Sequence, residues 1–111
     1  MERTEKLVRD KMPEIVRAKG EEYNYRIAGS DKEFAGFLKA KLLEEIDEFF
    51  DAAPLSADKV SEMADIMETL GKIGEFYGVD RNEVERVRKE KLALRGGFEQ
   101  RIIWDGKGYV K

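Results

Sequence analysis

Two acidic clusters stand out in a chain that has neither Cys nor His. The first is Glu44, Glu45, Asp47 and Glu48 in KLLEEIDEF; the second is Glu62 and Asp65 in SEMAD. The pattern reads E-E-x-x-E, a thirteen-residue gap, then E-x-x-D. Residues three or four apart share one side of a helix, so Glu45 stands with Glu48 and Glu62 with Asp65. Like charges so spaced cost an isolated helix roughly 0.2–0.5 kcal/mol per pair. Bringing both pairs together on antiparallel helices adds further repulsion. A positive species between them relieves it, and hard carboxylate oxygens suit Mg²⁺ or Mn²⁺.

The missing residue types narrow the chemistry further. Without Cys there is no disulfide, thiolate nucleophile or Cys-ligated zinc or iron. Without His there is no Ser-His-Asp arrangement and no His-ligated zinc or haem. Catalysis, if present, falls to carboxylates, Lys, Arg, Tyr and a bound metal. The 111 residues carry 21 basic and 24 acidic side chains, a net charge of −3. That balance lacks the positive excess that a nucleic-acid polymer demands. No apolar run reaches membrane-spanning length, and MERTEKLVRD lacks the apolar core of a signal peptide, so the expected location is the cytosol.

The elements that must position the acids follow in order. Met1–Glu5 reads as a frayed start. LVRDK leads to Pro13, suited to a first helical turn, and a short helix over Pro13–Lys19 stops at Gly20. Tyr23–Ala28 (YNYRIA) alternates and is rich in aromatic and β-branched residues, which predicts a short strand. Ser30 or Asp31 can cap a second helix, about Lys32 to Ala52. On it Leu38, Leu42, Leu43, Ile46, Phe49 and Phe50 make an apolar stripe, and Lys41, Glu44, Glu45 and Glu48 fill the adjoining arc, bordered by Phe34 and Phe37. Glu45 lies against the stripe rather than on the wet side.

Ala53-Pro54-Leu55-Ser56 breaks the helix, with Ser56 or Asp58 as the next N-cap. A third helix, about Ala57 to Tyr77, carries Val60, Met63, Ile66, Met67, Leu70, Ile73 and Tyr77 on one stripe. Glu62, Asp65 and Thr69 form a patch along its edge, and Gly78 ends it. Asp80-x-x-Glu83 opens a fourth helix, Arg81 to Leu94, closed by Gly96-Gly97. Phe98–Trp104 (FEQRIIW) predicts a second short strand. The sum is one domain over residues 1–111, mainly all-α, a bundle of about four helices with a minor two-stranded β element. The wide apolar arcs on so short a chain imply a homo-oligomer, with a dimer favoured.

KLVRDKMPEIV, KLLEEIDEF, SEMADIMETL and KLALRGGFEQRI, in that order, resemble the short single-domain MazG-related proteins of the all-α nucleoside triphosphate pyrophosphohydrolases. The resemblance covers most of the chain. It implies hydrolysis of a nucleoside triphosphate between the α- and β-phosphates, giving the monophosphate and pyrophosphate, with Mg²⁺ held by helical acids. By position, Glu45 and Glu48 match the first metal-binding pair and Glu62 and Asp65 the second, while Glu44 matches the doubled Glu. One of Glu44, Glu45 or Glu48 is expected to orient the attacking water. Basic residues available to phosphates are Lys41, Lys91, Arg95, Arg9 and Lys11. For Lys91 and Arg95 the competing role is stabilisation of a helix end, and for Arg9 and Lys11 a solvated lead-in. Phe34, Phe37 and Trp104 could stack on a base, although aromatic residues so placed also serve as core. Two other readings stay open: phosphoribosyl-ATP pyrophosphohydrolase, and a catalytically idle helical module that binds a metal or nucleotide.

Overall fold

The computed structural model describes residues 5–108, so the expected frayed start lies outside them apart from Glu5. Four helices form: α1 (Met12–Ala18), α2 (Asp31–Asp51), α3 (Ala57–Phe76) and α4 (Arg81–Arg95). The all-α class is therefore observed, and each helix falls within a residue or two of its expected bounds. The chain divides into two compact units, Met1–Tyr77 and Gly78–Lys111.

The capping chemistry explains where the helices start. Ser30 Oγ accepts from Glu33 N–H at 3.1 Å, and Ser56 Oγ accepts from Lys59 N–H at 3.2 Å. Asp80 accepts from both Asn82 N–H and Glu83 N–H, at 2.8 and 3.1 Å. Each side chain satisfies first-turn donors that have no partner within the helix. The Glu83 side chain does not reach back as a capping box would; it is drawn off by Arg86 one turn on. At the other ends, Gly20 and Gly96 take φ of 82° and 79°, a region that disfavours residues with a Cβ.

The first unit is organised by α2 and α3, an antiparallel hairpin. Near its closed end Lys59 meets Phe49 and Ala52, and near its open end Phe34 packs edge-on against Phe76 at 5.3 Å between ring centroids. The Lys59 ammonium donates to Phe49 O and, at 3.1 Å, to Ala52 O, and lies 4.4 Å from the Phe49 ring centroid. Positive charge at a helix C-terminus is favourable, so this lysine of α3 finishes α2 and helps fix the hairpin's register. Leu38 is the one fully buried apolar side chain among the described residues. Much of both expected stripes remains open, with Phe50 74%, Val60 72% and Met67 66% exposed.

Neither expected strand forms among the described residues. Residues 21–28 run without a ladder partner and are held by side chains instead. The Arg17 guanidinium donates to Tyr23 O at 2.8 Å, and Arg26 clamps Glu5 and Glu33 together. In the second unit a turn interrupts Phe98–Trp104: Arg101 N–H donates to Phe98 O at 3.2 Å with Arg101 at φ 57°. Trp104 Nε1–H then donates to Lys107 O at 2.8 Å. An alternating pattern favours extended backbone, but a strand also needs a neighbour to take its N–H and C=O groups.

Candidate functional site

Antiparallel packing reverses the order of the two clusters, so along this edge of the hairpin the acids find separate partners rather than gathering at one point. Glu48, late in α2, faces Glu62, early in α3, and Glu45 reaches Thr69 further along. Three different environments result.

Glu45 is 4% exposed, and Thr69, itself buried, donates its hydroxyl to Glu45 Oε1 at 2.6 Å. A carboxylate on a helix beside an apolar stripe is dragged inward with that stripe, and it survives there by finding a donor. Glu48 and Glu62 have no such relief. The Glu48 carboxyl is raised above the ordinary carboxylate range, first by desolvation and then by the hydrogen bond and charge of Glu62. Glu62 Oε2 is buried and has no hydrogen-bond partner. Two facing carboxylates cannot both be ionised cheaply, so this pair either shares a proton or accepts a cation.

Glu44 and Asp65 hold basic residues. Glu44 Oε1 lies 3.6 Å from Lys41 Nζ and 3.5 Å from Lys6 Nζ. Partial burial pushes the Glu44 carboxyl up, but Lys41 and then Lys6 outweigh it, and the group is lowered on balance. Asp65 accepts from Arg9 Nη2 at 2.8 Å. The KLVRDK lead-in thus lies over the acidic edge, with Lys6 on α2's acid and Arg9 on α3's. Lys6, Leu7, Phe37, Ala40, Lys41 and Glu44, with Glu5, line a small cavity of about 150 Å³. Drug-sized ligands occupy roughly 300–1,000 Å³, so this space suits one group of a ligand and not a whole nucleotide.

Of the residues expected to contact phosphates, Arg9 and Lys41 join the acidic edge. Lys11 is exposed at the N-cap of α1, and Lys91 and Arg95 are exposed on the last turns of α4 in the second unit. Phe34 is committed to packing against Phe76 rather than open for stacking. Phe37 borders the cavity, with the Arg26 guanidinium 5.9 Å from its ring centroid.

Sequence reasoning passed over Lys6 and Lys59. Lys6 was findable, since it precedes Arg9 by three residues in the same basic lead-in; Lys59 signals itself only through the hairpin's register.

Among the described residues no three acids are gathered closely enough to form a ready-made metal cluster. Glu45, Glu48, Glu62 and Asp65 offer oxygen donors of the type hard dications take, but they stand apart along the edge, and the one buried unpaired carboxylate oxygen is at Glu62. Lys6, Lys41 and Arg9 meanwhile neutralise part of the cluster. Comparison with family models, curated proteins and solved structures gives no match for this chain.

Proposed function

We propose that the chain is a Mg²⁺-dependent nucleoside triphosphate pyrophosphohydrolase of the MazG-like kind, with Mn²⁺ able to substitute. The observation that carries this reading is the Glu48–Glu62 pair: facing carboxylates, one raised in pKa and the other with a buried unpaired oxygen. Such a pair is costly in itself and becomes favourable around a dication. The cation would be held by Glu45, Glu48, Glu62 and Asp65. It would neutralise the polyphosphate so that a nucleophile can approach.

The chain's own residues supply the rest. One of Glu44, Glu45 or Glu48 orients the water and takes its proton. Attack at phosphorus breaks the anhydride between the α- and β-phosphates, and the products leave as the nucleoside monophosphate and pyrophosphate. Arg9 and Lys41 are the basic groups best placed for phosphate oxygens, each now engaged with an acid of the same edge.

The open stripes of α2 and α3 favour a homodimer in which a second copy covers Phe50, Val60 and Met67. No helix among the described residues is long and apolar enough to cross a membrane, and we place the protein in the cytosol.

One observation favours a second reading, a helical module without catalysis: Glu44, Glu45 and Asp65 already have partners within the chain. A panel of canonical and modified nucleoside triphosphates, assayed with Mg²⁺, Mn²⁺ or chelator, separates the two. Metal-dependent appearance of monophosphate with pyrophosphate is expected. Diphosphate with free phosphate, or no turnover of any member, would refute the assignment.

A further inference from the structure

Eight aspartates occur in the chain, and only Asp105 is followed by glycine. Asp31, Asp47, Asp51, Asp58 and Asp65 lie within α2 and α3, where the helix holds the backbone that follows them. Asp80 commits its carboxylate to the first-turn N–H groups of α4, and Asp10 precedes Lys11 at the N-cap of α1. Asp105 differs. It lies in the exposed tail of the second unit, in a turn that Trp104 Nε1–H closes by donating to Lys107 O at 2.8 Å. Its side chain folds back along the chain, with Oδ1 accepting from Lys107 N–H at 2.9 Å, the bond by which an aspartate turns the backbone two residues on. The intervening N–H, that of Gly106, has no hydrogen-bond partner among the described residues. Gly106 takes φ 84°, and the space where a Cβ would stand is open.

We propose that Asp105 is a site of spontaneous covalent rearrangement, at which the carboxyl, folded against an unengaged Gly106 amide, converts the Asp105–Gly106 linkage into its isoaspartyl form. The Gly106 nitrogen attacks Asp105 Cγ. The N–Cγ bond forms, a Cγ–O bond breaks, and the hydroxyl of the protonated carboxyl leaves with the amide proton as water. The product is a cyclic imide, and water then adds back at one of its two carbonyls. Opening at Cγ restores aspartate; opening at the main-chain carbonyl leaves the chain running through Cβ and Cγ. Nothing is oxidised or reduced, and water is the only co-reactant. The Lys107 N–H keeps the carboxyl beside the Gly106 peptide. Glycine favours the attack, since no side chain shields its nitrogen and its backbone bends without steric cost.

The rearrangement inserts a methylene into the main chain and removes the side-chain acceptor of the Lys107 N–H. The turn then opens, and the indole loses Lys107 O. Trp104 is the chain's one tryptophan, so its emission reports on this turn. A turn that only shields its aspartate makes a different prediction: folding would slow the rearrangement below its rate in the unfolded chain.

The experiment is ageing of the full chain in neutral buffer made with heavy-oxygen water, at physiological temperature. Peptide mapping with electron-transfer fragmentation separates isoaspartate from aspartate, and Trp104 emission is followed in parallel. Two further samples are the chain unfolded in guanidinium chloride and Asp105→Glu, which keeps the charge but disfavours the larger imide ring. In the folded chain, isoaspartate carrying one heavy oxygen is expected at position 105 and at no other aspartate. It should accumulate at least as fast as in the unfolded chain, with a red shift of emission that Asp105→Glu abolishes. Absence of isoaspartate at 105, its appearance elsewhere in the folded chain, or slower formation on folding would overturn the proposal. A red shift that persists in Asp105→Glu, or an unmoved emission after full conversion, would overturn the coupling to Trp104.

Discussion

Glu48 on α2 faces Glu62 on α3, and burial together with this neighbouring carboxyl holds the Glu48 group above the ordinary carboxylate range. The pair is the most strained relationship along the acidic edge, because Glu62 Oε2 is also buried and without a partner. Glu48→Gln removes the like-charge term and can donate to Glu62. Without metal, the melting temperature should rise by about 1–3 °C, the shift expected from relieving a few tenths of a kcal/mol in a small domain. Metal-dependent pyrophosphate release should fall about 10²-fold. A Glu48→Gln chain that is less stable and fully active would contradict the role assigned to the pair.

The pH dependence of stability follows from two carboxyls with opposite shifts. Glu33 is lowered to about 2 by its hydrogen bonds from Arg26 and then from the Gly29 N–H. A lowered folded value means that the unfolded chain binds more protons, so this contribution is complete above the ordinary value of 4.5 and is lost as pH falls toward 2. Glu48 is raised, so its penalty is fully present above its folded value and disappears as pH falls through it toward 4.5. Melting temperature in chelator should therefore rise slightly on mild acidification and then drop below pH 4.5. Glu33→Gln should flatten the acid limb, which thermal melts across a pH series would show.

Arg9 competes with a cation for Asp65, to which it donates at 2.8 Å. An exposed ion pair is worth at most about 1 kcal/mol, so Arg9→Ala should tighten Mn²⁺ binding by only about two- to five-fold. If Arg9 transfers to phosphate when substrate arrives, the same variant should raise KM. Calorimetry and steady-state kinetics together test this: tighter metal with unchanged KM would leave Arg9 as a counter-ion alone.

Lys59 closes the hairpin by capping two carbonyls at the end of α2. Lys59→Met keeps the aliphatic stem but loses the charge-assisted bonds, at a cost of about 1.5–3 kcal/mol. Thermal and urea denaturation should show the loss, and an unchanged midpoint would mean that the cap is dispensable.

The open stripe of α3 gives a prediction about assembly. Met67, 66% exposed on that stripe, should be covered in a homodimer, and Met67→Glu should dissociate it. Sedimentation velocity of both chains over a concentration series gives the answer; a natural chain that stays monomeric at every concentration would remove the second copy from the proposal.

The sequence alone determined the helices, because each carries its own local instructions. Ser30, Ser56 and Asp80 cap the starts, Gly20 and Gly96 mark stops, and apolar residues recur at the helical period. It also determined that Glu45 would be drawn inward, since three of every seven helical positions turn toward the core whatever residue occupies them. The tertiary structure alone decided what each acid would meet: Thr69 for Glu45, Arg9 for Asp65, Lys6 for Glu44, and Glu62 for Glu48. Those partners lie between 14 and 56 residues away in sequence, and only the register of α2 against α3 and the path of the lead-in bring them together. Tyr23–Ala28 fails as a strand for the same reason. Its alternation is local, but a ladder partner is a property of the whole fold.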